Sequence, residues 1–148
     1  MSAGADIQLE LLLFSLCGVH FGTDAGQVAG IELYAGEQSD DLFWFHEEIG
    51  YGDRPVRYSS PVVVTFRNES RYRLIIDSME EITVFSHNDI RLFPDLLEPF
   101  TLRKGLWGIL PRNGRMVLLV DFQRLLKGKH PEQPDQSQSC RGCAVNMM

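Results

Sequence analysis

The chain has 148 residues, 44% hydrophobic and 23% charged, long enough to bury one core without disulfides or metal and far from a disordered composition. Fourteen Lys and Arg against twenty Asp and Glu leave a formal charge of −6, a field that repels phosphate backbones and anionic headgroups, so nucleic acid is not an expected partner. The apolar run Leu11 to Val19 follows Asp6 and Glu10 with no Lys or Arg before it, and it is too short to cross a bilayer; a cytoplasmic protein with no direct membrane insertion is expected.

Gln8 to Val19 is apolar and β-compatible, Gly18 and Gly22 punctuate it, and Val19-His20-Phe21 resumes the extended pattern, which predicts a hairpin. Cys17 lies in this apolar strand and is expected as a reduced core residue. From Thr23 to Ile31, Thr23 or Asp24 caps a single helical turn whose Val28 and Ile31, three apart, face inward. Gly36 to Asp41 is turn-like, and Leu42-Phe43-Trp44-Phe45 reads as a strand breaking into a helical turn, His46 to Gly50, ended by the glycine.

Tyr51 to Ser60 is a loop rich in Gly, Pro and Arg, and Pro61 to Phe66 is a β-branched strand with proline at its first position, where a missing N–H does least harm. Arg67 to Arg73 holds three arginines around Glu69 and reads as a solvated hairpin tip, returning into a strand that ends at Asp77. Ile82 to Phe85 is strand-like, and Ser86 to Ile90 is a turn with a local side-chain cap. Leu92 to Leu102 is expected as a loop that still buries apolar groups. Gly105 to Pro111 and Arg115 to Asp121 form a third hairpin across Asn113-Gly114, the strongest turn signal in the chain. Phe122 to Leu126 is a short helix. Many short strands with little helix predict an all-β chain, a barrel or a pair of small barrels. Residues 128–148 offer nothing to bury and read as a disordered tail.

No catalytic constellation emerges. His20, His46, His87 and His130 are isolated, and none has the neighbours of a base with its nucleophile. His46-Glu47-Glu48 reads as a solvated face, because adjacent helical residues point apart. Asp77 and Asp121 end apolar strands, where a carboxylate caps a turn. Cys140 and Cys143 have redox or half-zinc spacing, but His130 is the nearest other ligand and no helix N-terminus lies beneath them. No catalytic residue, cofactor or metal is expected. Phe43-Trp44-Phe45 carries the interface claim: alternation buries Phe43 and Phe45 and turns Trp44 to the opposite face, either as core packing or as a partner's anchor. With Val84 and Phe85 these residues form the expected protein-binding set.

Over roughly Leu9 to Leu126 the chain resembles the CheW-like domain of bacterial chemotaxis. The resemblance rests on Leu11 to Leu16 with Gly18 and Val19-His20-Phe21-Gly22, on Gln27-Val28-Ala29-Gly30-Ile31, on Val62 to Phe66, on Leu74-Ile75-Ile76-Asp77-Ser78-Met79-Glu80-Glu81-Ile82, on Asn88-Asp89-Ile90, and on Trp107-Gly108-Ile109 through Leu119-Val120-Asp121 with Leu125-Leu126. It implies one domain over residues 8–127, built of two small SH3-like β-barrels with short helices. It also implies a non-enzymatic adaptor that couples a CheA-type histidine kinase regulatory domain to the cytoplasmic tip of chemoreceptors or to a related array protein. The first half departs from the pattern: the arginine-bearing turn is missing, and Trp44 stands where an acidic residue belongs. A shortened member with one barrel open or rebuilt is expected. The alternatives are a degenerate barrel that binds a small ligand or an unrelated protein, and a thiol or zinc protein using the tail cysteines.

Overall fold

The computed structural model describes residues 7–51, 55–67, 71–97, 99, 101 and 104–127. The expected tail at 128–148, with His130, Cys140 and Cys143, lies outside the described residues. The strands are β1 (Gln8–Leu16), β2 (Val19–Asp24), β3 (Val28–Leu33), β4 (Leu42–Trp44), β5 (Pro61–Phe66), β6 (Arg73–Asp77), β7 (Met79–Ser86), β8 (Leu106–Arg112) and β9 (Arg115–Val120); short helices bounded wholly by described residues are α1 (Phe45–Ile49) and α2 (Phe122–Leu125), and Pro99 and Thr101 are also helical. They form two sheets, of order β7-β1-β2-β9-β8 and β3-β5-β6-β4. The fold is all-β, as its short strands and frequent turns predict.

The unbroken apolar run of β1 follows from burial on both sides, since alternate residues of a strand face opposite ways. Leu12, Phe14 and Leu16 enter the large core between the sheets, whereas Leu11 and Leu13 enter a second core with Leu110, Val117 and Leu119. The same division runs through β9: Val117 and Leu119 face the small core, Val120 the large one. Across the large core β5 and β6 pair Val62 with Ile76 and Val64 with Leu74. Its centre is aromatic, with Phe45 lying 5.1 Å from Phe14, 4.9 Å from Phe21 and 6.1 Å from Phe122 between ring centroids. These edge-on contacts suit the ring quadrupoles. Two parallel pairings, β2 with β9 and β4 with β6, fasten segments distant in sequence.

Local chemistry sets the turns. The β8–β9 hairpin closes on Asn113 (φ 52°) and Gly114 (φ +78°), the left-handed pair expected of Asn-Gly. Gly50 (φ 91°) ends α1, its N–H donating to the His46 carbonyl. Asp121 caps α2, accepting from the Gln123 and Arg124 amides. Asp77, 2% exposed, accepts from the amides of Ser59 (2.9 Å) and Ser60 (2.6 Å), which fastens the loop before β5 to the end of β6.

Three expectations are corrected. Cys17 is not a core residue: it occupies the β1–β2 turn with φ 52° and is exposed. The helical turn shrinks to a 3-10 turn, Ala25–Gln27, capped by Asp24, and Val28 and Ile31 belong to β3. They share the core side because the register of β3 on β5 shifts between Val28 and Gly30, and one extra residue turns a strand's two-residue repeat into three. Leu92, Leu96 and Leu97 are exposed, so these leucines of the loop after β7 do not pack as expected.

Candidate protein-interaction surface

The β7 edge is the surface best built for contact with another chain. Among the described residues β7 is the outermost strand of its sheet, and only β1 pairs with it. The His87 amide donates to the Ile7 carbonyl at 2.7 Å, and antiparallel alternation from that pair points the backbone N–H and C=O of Phe85, Thr83 and Glu81 at β1. Those of Val84 and Ile82 therefore point away, with no partner among the described residues. Their side chains are 54% and 50% exposed, with Met79 exposed further along. Ile82 sits beside Leu12 of the large core in the β1 register, so the apolar edge continues outward from the junction of the two sheets.

The far side of the sheet stops short of sealing this edge. Arg112 of β8 donates to Glu81 Oε2 at 2.6 Å and lies 5.2 Å over the Phe85 ring, so a side chain spans the gap between the outermost strands. At the other end Arg91 forms a two-way backbone bridge with Ile109 of β8. Pro111 of β8 lacks an N–H and has no ladder donor to offer β7. Phe85, half-buried, packs on the small core beneath Arg112, and of the expected pair it is Val84 that presents itself to solvent.

The other expected residues lie on the four-stranded sheet. Phe45 is 0% exposed and belongs to the core, and Phe43, half-buried, packs beside it against Tyr72. Trp44 is half-buried on the opposite face, between Tyr34 (5.2 Å) and Tyr58 (4.9 Å), both met edge-on. The His46 amide donates to the Tyr58 hydroxyl at 3.1 Å, and the imidazole Nδ1 lies 3.1 Å from the same oxygen. His46 is thus tied into an aromatic group, where a solvated face is expected from sequence. Burial pushes the Tyr58 hydroxyl's pKa above the ordinary tyrosine value, and the bond from the His46 amide opposes this only in part. A shallow cleft of about 420 Å³ lies over Trp44, His46, Glu47, Val56, Arg57 and Tyr58.

A second cleft, about 280 Å³, opens at the end of the five-stranded sheet above Leu13 and Val117. Its rim holds His20, 3.3 Å from Glu80 and 3.4 Å from Arg115, beside the Arg112–Glu81 pair. Opposite charges already face each other here, and Ser15, the β1 register partner of His20, shows no hydrogen bond from its hydroxyl to the imidazole among the described residues, so no nucleophile is paired with this base. Among the described residues no group of three or more His, Cys, Asp or Glu is placed to hold a metal ion, and no helix is long and apolar enough to cross a membrane.

No protein-family model matches the chain, and no curated protein matches it. Among solved structures it is similar to the scaffolding protein TtCheW from Thermoanaerobacter tengcongensis. The TM-score is 0.53 at 17% identity, over 77% of this chain and 89% of that one. The class is therefore an all-β, CheW-like fold, divergent in sequence. The inward side chain of Phe45 was legible from alternation in Phe43-Trp44-Phe45, although Phe45 begins α1 where the sequence reads it as the end of the strand. The free backbone groups of β7 were not, because nothing in a strand's composition says how many neighbours it has.

Proposed function

We propose that this protein is a non-enzymatic, cytoplasmic adaptor of a chemosensory array, holding a CheA-type kinase regulatory domain or a chemoreceptor's cytoplasmic tip on the β7 edge. The observation that carries the reading is the pairing, in one strand, of unpaired backbone groups at Ile82 and Val84 with half-exposed apolar side chains at the same positions. An added strand or a packed helix gains main-chain hydrogen bonds or apolar contact there without any reactive group. Covering the exposed halves of Ile82 and Val84 is worth about 1 kcal/mol each, so the edge supplies a foothold and the remaining interface completes the affinity. The CheW-like fold supports the class of partner.

Titration of the protein with CheA-type regulatory domains and receptor-tip fragments from its own cell tests the reading. Saturable binding that Ile82→Glu with Val84→Glu weakens by at least about tenfold is expected. Absence of saturable binding to every array component contradicts it. A second reading, a small ligand held over Trp44 and Tyr58, has the aromatic cleft in its favour. A metabolite screen followed by Trp44 and Trp107 fluorescence separates the two, since the adaptor reading expects an unaltered spectrum.

A further inference from the structure

The four-stranded sheet has its own unfinished edge. Among the described residues β3 is outermost there and pairs only with β5. The Tyr34 amide donates to the Pro61 carbonyl at 3.2 Å, so alternation sends the backbone groups of Glu32 to β5 and those of Ile31 and Leu33 outward. The outward groups have no partner among the described residues. Leu33, at 82%, is as exposed as any large apolar side chain in the fold and stands where the free edge ends. Beyond it the chain turns away, held by the Tyr34 hydroxyl donating to the Glu37 carbonyl and the Ala35 amide donating to Glu37 Oε1.

Charge selects the occupant. Glu32 is exposed, and no ion pair within 4.0 Å engages it among the described residues; Arg73 acts on it only through space, being bonded to Asp41 through both its Nε and an Nη and paired with Glu37. A strand paired with Ile31 and Leu33 places one residue directly opposite Glu32, on the sheet face that also carries Tyr34 and Trp44. Its two neighbours fall beside Ile31 and Leu33 on the other face. A second copy fits poorly, because pairing Ile31 with the copy's Leu33 across a two-fold sets Glu32 against Glu32, and each copy carries a charge of −6. We propose that the β3 edge adds a short extended segment of another polypeptide in which a lysine or arginine stands between two apolar residues. Such a strand completes the sheet from its open side, through hydrogen bonds to Ile31 and Leu33 and a cross-strand ion pair to Glu32. This inference is independent of the β7 edge.

The test uses the full chain and a capped hexapeptide with valine at alternate positions and lysine between them, followed by residue-resolved amide hydrogen exchange. Exchange at Ile31 and Leu33 is expected to slow by at least about tenfold at saturation, with a glutamate-for-lysine peptide binding several-fold more weakly. Leu33→Pro is the sharp variant: its lost N–H points away from β5, so the β3–β5 ladder is kept while one bond to the added strand is removed. Where that variant fails to fold, Glu32→Lys replaces it, and its preference between the two peptides is expected to reverse. Unchanged exchange at Ile31 and Leu33 overturns the proposal, as does protection appearing only at Ile82 and Val84, or a Leu33→Pro protein that binds as tightly as the wild type. Kinase or receptor binding at β7 is expected to survive Leu33→Pro, so failure of either idea is visible without the other.

Discussion

Phe45 holds the centre of the molecule, with Phe14, Phe21 and Phe122 around it and no exposed surface. Phe45→Ala is expected to cost about 3–5 kcal/mol, read as a fall in the denaturant midpoint. A pair of glycines separates backbone strain from steric exclusion. Gly105 and Gly114 share φ +78°, but a Cβ on Gly105 meets the Asp121 carbonyl oxygen at 2.7 Å, whereas nothing lies within 4 Å of one on Gly114. Gly114→Ala is expected to lose about 1–2 kcal/mol from the left-handed backbone alone, and Gly105→Ala distinctly more; equal losses in thermal melts contradict this account of the Gly105 turn. Asp41 is the pH-sensitive residue. Its hydrogen bond with Arg73, then that with Ser39, holds its carboxyl below the ordinary aspartate value. The folded pKa lies below the unfolded one, so the contribution is present above the unfolded value and disappears as pH falls through the folded value. The stability difference between wild type and Asp41→Asn is expected to be constant near neutrality and to vanish in acid.

The proposed function rests on an edge strand, and β7 is predicted to be separable from folding. Ile82→Glu with Val84→Glu changes two side chains that are half in water, so the melting temperature is expected to move little, about 0.5–1 kcal/mol in stability, while partner binding collapses. A large loss of stability in that variant instead assigns Ile82 and Val84 to the core. Much of this level was legible in sequence, because hairpins carry local signals: the Asn113-Gly114 pair, the Gly50 stop, and the Ser86 hydroxyl that accepts from the Asn88 amide. Where local signals mislead, the reason is physical. Val28 and Ile31 have helical spacing because an extra residue separates them in β3, and Cys17 looks buried because it continues the apolar run of β1 although the turn already begins at it, one residue before Gly18. The parallel pairings β2–β9 and β4–β6 leave no trace in a linear pattern, since they depend on residues dozens of positions away.

At the scale of the whole molecule, two sheets share one large core, and a second, smaller core fills the five-stranded sheet. A junction built this way holds the two sheets in fixed relation, which suits a scaffold that must present β7 at a constant place and orientation. The fold expected from the resemblance to CheW-like domains is the fold observed. In the four-stranded sheet β3 and β4 are the outer members. The most direct measurement is amide hydrogen exchange on the complex with the CheA-type regulatory domain or receptor tip, resolved to single residues. The account predicts protection gained at Ile82 and Val84, with exchange at the already paired Thr83 changing far less. A complex that forms with the Ile82 and Val84 amides exchanging as in the free protein contradicts it.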